Sequence, residues 1–308
     1  YAVPRPAADG ATVTIGIIQG NVPGRGMHFL GDEPAVVLRN HADKTRELAR
    51  AVRAGRLPRP DLVIWPENST DIDPYRDPSA YAVIDAAVRD IGVPVLVGAV
   101  VRSADGGHRH TRSLVWDPAT GPGAYYDKRK LVPFGEFVPM RELLEPLFGD
   151  RVRLVGLQSL PGDTTGDLRL GPVTVGVVNC YEVAFDAVVR DTAATGASPL
   201  VVQANNATYA LSNLPPQQLA MYRLRAVEHG RAVVAAATTG ISAYVDPDGA
   251  VRWRSAELVD EMTVVRVPVR TARTIATRVG ALPEWMLILV GTSALGVFAL
   301  RRGKTEVG

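Results

Sequence analysis

Cysteine is the scarcest residue in this sequence: 308 residues contain one, Cys180. No intrachain disulfide can form, and a zinc site built on cysteines is excluded. An excess of one charge is missing too. The 34 Lys and Arg stand against 32 Asp and Glu, a net +2, so there is no basic bias of the kind a nucleic-acid surface needs. Residues 1–10 read YAVPRPAADG, with no basic stretch followed by an apolar one, which is not a signal peptide. Their composition suits a linker over 1–11 and raises the expectation that something upstream was removed. Apolar residues at 46% and charged ones at 21% are ordinary for a folded globular protein, which excludes a disordered chain and a collagen-like repeat.

The hydrophobicity is unevenly placed. Mean hydropathy is +0.05, slightly high, and residues 281–300 (ALPEWMLILVGTSALGVFAL) carry one charge, Glu284. The uninterrupted part from Trp285 to Leu300 would rise about 24 Å as a helix, short of the ~30 Å of a bilayer core unless the span starts near Ala281. Trp285 would lie at one interface, and Arg301, Arg302 and Lys304 in the basic tail 301–308 at the other. A buried core helix is the competing reading. The absence of a polar stripe and the hard stop at basic residues favour a membrane span. Arg270, Arg273 and Arg278 balance the basic residues beyond it, so charge alone does not orient it.

Between these ends, residues 12–270 alternate short β-branched runs with helix-like segments. Strands are expected at 12–18, 61–65, 93–101, 173–178, 200–203, 232–237, 242–245, 251–254 and 263–267, with hairpins around 111–128. Helices are expected at 32–54 with Asp32 as N-cap, around 81–89, at 185–195 and at 216–231. The pattern predicts one α/β domain with a mixed sheet and helices outside.

Chemistry-bearing residues fall at strand ends. Cys180 closes the apolar run VTVGVVN and precedes Tyr181 and Glu182. A lone cysteine is more often a small buried hydrophobe. Here, however, the strand turns into a helix, a geometry that suits a nucleophile beside free backbone N–H groups. Glu67 follows the strand ending in Trp65-Pro66, where the bland reading is a solvated loop carboxylate. The segment YDKRKLVPFGEFVP places Lys128, Lys130 and Glu136 around an apolar, proline-bounded loop. A thiol with an intrinsic pKa of ~8.5 needs a base, a carboxylate can be one, and an amine can meet a developing oxyanion.

The trio Glu67 in WPEN, Lys128 in YDKRKLVPFGEF and Cys180 in VVNCYE resembles the Glu-Lys-Cys triad of the nitrilase superfamily. More narrowly, QGNVP at 19–23, LVPFGEFVP at 131–139, QANNATY at 203–209 and GRAVVAAATTGISA at 230–243 resemble the nitrilase-like domain of the apolipoprotein N-acyltransferases. The resemblance covers about 12–302. It implies an αββα sandwich followed by a transmembrane helix, and a fatty acyl chain moved from a phospholipid through a cysteine thioester to the N-terminal cysteine amine of a diacylglyceryl-modified apolipoprotein. It implies Cys180 as nucleophile, Glu67 as general base, Lys128 as oxyanion stabiliser and Glu136 as a supporting carboxylate. Tyr181, through its N–H, and Glu182 would support the nucleophile. No metal or organic cofactor is implied. The family's topology puts the catalytic domain outside the cytoplasmic membrane and Arg301 and Arg302 inside. Two departures stand out. The multi-span membrane domain that normally comes first is missing from this chain, and the aromatic a few residues beyond the QGN-P motif is here only Phe29.

Other residues carry weaker signals. His108 and His110 lie in a charged hairpin without a third ligand and read as solvated. His229 reads as a helix-end residue favouring the dipole. The arginines of 222–231 read mostly as a solvated face. Asn205 and Asn206 either line a cleft or serve a turn. Two other functions compete: an amidase of the same superfamily acting on a small amide, and a catalytically idle membrane-tethered scaffold.

Overall fold

The structure is a computed structural model and describes residues 10–22, 35–153 and 155–305. The chain runs β1 (Thr12–Gln19), α1 (Val36–Arg53), β2 (Leu62–Ile64), α2 (Pro78–Ile91), β3 (Val95–Arg102), β4 (Arg109–Asp117) and β5 (Gly121–Asp127). Then come α3 (Arg141–Arg153), β6 (Asp167–Leu170), β7 (Val173–Asn179), a 3-10 turn (Cys180–Ala184), α4 (Asp186–Ala194), β8 (Leu200–Ala204) and α5 (Leu214–His229). The last elements are β9 (Val233–Ala237), β10 (Ala243–Val245), β11 (Val251–Arg254), β12 (Glu261–Pro268), α6 (Ile275–Val279) and α7 (Leu282–Thr305).

The strands form two six-stranded sheets, ordered β12-β1-β2-β3-β4-β5 and β11-β10-β9-β8-β7-β6. The middle of each is parallel: β1, β2 and β3 in the first, β7, β8 and β9 in the second. Central strands such as TVTIGIIQ and LVVQA are apolar on both faces because both faces are covered. One face of each sheet meets the other sheet. Val13, Ile15, Ile17, Ile64 and Leu96 of the first pack with Leu170, Val175, Val177, Val201 and Val234 of the second. The outer faces take helices: α1 and α2 cover the first sheet and α4 and α5 the second. The result is the expected αββα sandwich.

Local chemistry places the helices. In α1, Val37, Leu38, His41, Ala42, Thr45, Leu48 and Ala49 share one buried stripe. At α2, Asp77 accepts the N–H groups of Ser79 and Ala80 at 2.8 and 3.0 Å, Pro78 opens the first turn, and Gly92 closes the helix with a left-handed φ of 68°. The expected start of α1 at Asp32 lies outside the described residues, as does Phe29; the described helix begins at Val36. Three elements have no counterpart in the sequence expectations: α3, which holds Pro146 inside it, the four-residue β6, and α6.

Two expectations on α5 and the residues after it are overturned. Arg225 and Arg231 are buried rather than solvated. Arg231 donates to the carbonyls of Ala193, Arg270, Thr271 and Ala272 and so fastens the segment before α6 to the domain. His229 is buried as well. Its Nδ1 lies 3.0 Å from the Thr277 hydroxyl, and burial, with help from Arg225, holds its pKa down to about 4, so it brings no charge to the helix end.

Helix α7 departs from the rest. Its side chains from Leu282 to Phe298 are exposed on every side, with Leu287 at 73% and Leu295 at 70%. It is therefore not a core helix of this domain. No helix among the described residues is long and apolar enough to cross a membrane. The described side chains of α7 end at Phe298, about 25 Å from its start.

Candidate active site

The three strand-end residues converge where the two sheets meet. Glu67 follows β2 and Lys128 follows β5 in the first sheet, and Cys180 follows β7 in the second. Glu67 is 4% exposed and Lys128 1%. The Lys128 ammonium donates to Glu67 Oε1 at 2.8 Å and to Glu136 Oε1 at 3.1 Å, so one buried cation is shared by two carboxylates. Glu136 is held in turn by the Thr111 hydroxyl at 3.1 Å and the Val132 N–H at 2.7 Å. The second Glu67 oxygen accepts the Asn205 N–H at 3.1 Å. The loop carboxylate of the bland reading is in fact a buried one, hydrogen-bonded at both oxygens.

Cys180 opens the 3-10 turn with φ of +48°, a left-handed conformation that costs a non-glycine residue energy unless its surroundings impose it. Those surroundings are two charged side chains. Glu182, fully buried, accepts the Asn179 N–H at 2.8 Å, the Arg129 and Lys130 N–H groups at 2.6 and 2.9 Å, and the Tyr126 hydroxyl at 2.9 Å. It therefore ties the turn carrying Cys180 to the loop carrying Lys128. From the other side, the Arg225 guanidinium donates to the carbonyls of Val183 and Ala184 at 2.9 and 3.2 Å. Tyr181, exposed, stacks edge-on against Phe185 with centroids 5.0 Å apart.

Burial decides the electrostatics. It pushes the Glu67 carboxyl above its ordinary value; the neighbouring Lys128 ammonium opposes the shift and Glu136 adds to it. The Cys180 thiol is pushed up to about 12, first by burial and then by Glu67, against the pull of Lys128, the Asn205 N–H and Gln218. Burial disfavours the Lys128 cation, but Glu67 and Glu136 outweigh it and raise its pKa. The resting state is a neutral thiol beside a charged ammonium, and a proton acceptor at hand is what such a thiol needs in order to react.

Asn205 serves the site with its backbone, while its side chain accepts from the Ala207 N–H and the Thr238 hydroxyl. Asn206 is buried and faces inward, donating to Gln218 at 2.9 Å. Gln218 on α5 is the site residue that the sequence did not reveal: its Nε2 lies 3.6 Å from Cys180 Sγ. Against the solvated reading, His110 lies mostly buried on β4 with Nδ1 3.6 Å from Asp127, and His108 is half-exposed. A group of metal-ligand type exists at Asp186, Glu228 and His229. The Arg225 guanidinium already reaches both of its carboxylates, at 3.2 and 2.5 Å, and supplies the positive charge there.

An αββα sandwich with a buried Glu-Lys pair facing a cysteine at a strand end defines a class. The family model for carbon-nitrogen hydrolase matches residues 35–277, and the chain belongs to that family. Within it, the chain is similar to curated apolipoprotein N-acyltransferases. The one from Mycolicibacterium smegmatis is 39% identical over 97% of this chain and 50% of its own length. That from Photobacterium profundum is 30% identical over 81% of this chain and 47% of its own; that from Nostoc sp. is 30% identical over 96% and 56%. The chain thus spans about half the length of the curated relatives it matches. Among solved structures, an amidase of the nitrilase superfamily from Nesterenkonia AN1 shares the fold. Its TM-score is 0.59 at 20% identity, covering 87% of this chain and 94% of that one.

Proposed function

We propose that this chain is the catalytic part of an N-acyltransferase that moves a fatty acyl chain from a phospholipid to the N-terminal cysteine amine of a diacylglyceryl-modified apolipoprotein. The observation that carries the chemistry is the buried Glu67–Lys128 pair set against Cys180 on a strained turn. The names of the relatives support acyl transfer to a nitrogen of an apolipoprotein; the phospholipid donor and the diacylglyceryl-modified cysteine are what the sequence resemblance implies. Cys180 loses its proton to Glu67 as sulfur attacks the ester carbonyl. The Lys128 ammonium and the Tyr181 N–H receive the oxyanion. Collapse breaks the ester bond, Glu67 returns the proton to the departing lysophospholipid, and an acyl thioester remains on Cys180. The acceptor amine then attacks the thioester, its proton passes through Glu67, and sulfur leaves with the electron pair and is reprotonated. Glu136 keeps the ammonium in place, and Glu182 keeps the turn in place. The scheme draws on no metal or organic cofactor.

Helix α7 distinguishes this reading from a small-amide amidase. An apolar helix exposed all round needs an apolar surrounding, and a bilayer offers one. We infer that 281–300 anchors the chain in the cytoplasmic membrane, with the catalytic domain on the extracytoplasmic side and the 301–308 tail in the cytoplasm. An idle scaffold would have no use for a buried ammonium shared by two carboxylates beside a thiol.

Incubation with phospholipid vesicles is expected to add one acyl chain to Cys180, read by intact mass and removed by hydroxylamine. Cys180→Ala should take up none while folding normally, and Glu67→Gln should block the uptake. An unmodified Cys180 in a chain that transfers acyl groups overturns the thioester; acylation undiminished in Glu67→Gln overturns the base.

A further inference from the structure

The thiol has one side-chain contact that the scheme above does not use. The Gln218 side-chain N–H₂ lies 3.6 Å from Cys180 Sγ, from a helix 38 positions further along the chain. Gln218 is 6% exposed and its orientation is set: Asn206 Nδ2 donates to its Oε1 at 2.9 Å, which leaves the amide N–H₂ for the sulfur. Asn206 is itself fixed. It is 1% exposed, and a Cβ at Gly240 would stand 2.3 Å from its Oδ1, so the TTGIS stretch packs against it without a side chain. Further along the same face of α5, Tyr222 lies buried and Arg225 holds the carbonyl end of the cysteine turn. The spacing 218, 222, 225 is that of one helix face, so the helix that clamps the turn also delivers the amide.

We propose that Gln218 is a fourth catalytic residue, a hydrogen-bond donor to the Cys180 sulfur when that sulfur carries negative charge, and that Asn206 positions it. The inference rests on Cys180 being the nucleophile. Sulfur carries charge twice: when its proton passes to Glu67 and the S–C bond forms, and when the thioester S–C bond breaks and sulfur keeps the electron pair. Lys128 is committed to two carboxylates and to the carbonyl oxygen, and Glu67 can only accept from the thiol. The Asn205 backbone N–H is shared with Glu67 Oε2, so the oriented Gln218 N–H₂ is the side-chain donor that remains for the sulfur itself.

Because Cys180 is the single cysteine, its alkylation by iodoacetamide reads thiol reactivity without any lipid substrate. The experiment measures that rate against pH in the full chain. Gln218→Met keeps the side-chain length without a donor. Its profile is expected to move to higher pH, with the rate at pH 8 falling about tenfold, the size expected for losing one hydrogen bond to a charged atom. Asn206→Ala should move the same way by less, and adding it to Gln218→Met should cost nothing further. Gln218→Glu, near-isosteric, should slow alkylation more than Gln218→Met because it faces the sulfur with like charge. Superimposable profiles for wild type and either Gln218 variant overturn the assignment, and full additivity overturns the role of Asn206. Loss of thermal stability alone, with the profile unmoved, counts as a structural role and overturns it too. The outcome is separate from that of the acylation test: alkylation that depends on Gln218 in a chain never acylated by phospholipid overturns the transferase reading alone.

Discussion

At position 98 even a methyl group would stand 2.0 Å from the Pro66 carbonyl oxygen. The backbone leading into Glu67 crosses β3 at that point, and the Ser69 hydroxyl donates to the Gly98 carbonyl at 2.9 Å. The carboxylate is therefore aimed by backbone fixed on both sides of it. On the proposed scheme its raised pKa has a kinetic consequence. A base whose proton is held more tightly than an ordinary carboxylate's stays protonated to higher pH. Acylation of Cys180 should lose rate on the acid side with a midpoint above the usual carboxylate range, near 4.3, and a pH profile of thioester formation checks this. Glu67 and Cys180 stood out in the sequence because each follows an apolar strand, and Lys128 and Glu136 because both fall in the short motif YDKRKLVPFGEFVP. Gln218 did not: it lies on a helix whose sequence gives no sign of a thiol 38 residues earlier. Arg225 and Arg231 misled for the same reason, since a basic residue on a helix reads as solvated until the carbonyls it binds are known.

Among the elements, the 3-10 turn depends most on a single side chain. Glu182 accepts three backbone N–H groups and a phenol, and these belong to two separate stretches of chain. Glu182→Gln replaces an acceptor-only group with one that must point an N–H₂ at donors. The expected loss is about 3 kcal/mol, and with it much of the reactivity of Cys180. Urea denaturation and iodoacetamide alkylation measure the two parts. The strands were readable because sheets covered on both faces demand unbroken apolar runs. Elements whose sequence departs from such patterns were not: α3 encloses a proline, and β6 is only four residues long. Strand order was also beyond reach, because β1 pairs with β12 from the far end of the domain.

At the scale of the molecule, α7 differs from the sandwich in exposing its apolar side chains on every side. If a bilayer receives α7, the full chain should sediment with phospholipid vesicles. Leu287→Glu with Leu295→Glu should release it while leaving the alkylation of Cys180 unchanged, since both side chains are exposed and lie outside the site. The chain passes from the domain into α7 through a segment that Arg231 fastens from within, so the sandwich and the helix are joined by a short and anchored connection.

The placement of the triad has one more effect. Carboxylate and ammonium come from one sheet and the sulfur from the other, and the Glu182 clamp crosses the same boundary. Before the sheets dock, Cys180 stands apart from Glu67 and Lys128, and it is an ordinary thiol. On the proposed scheme, folding thus acts as an interlock: a half-assembled chain holds the thiol without the carboxylate and ammonium that the scheme pairs with it, and acylation of Cys180 would report that both halves of the sandwich have closed.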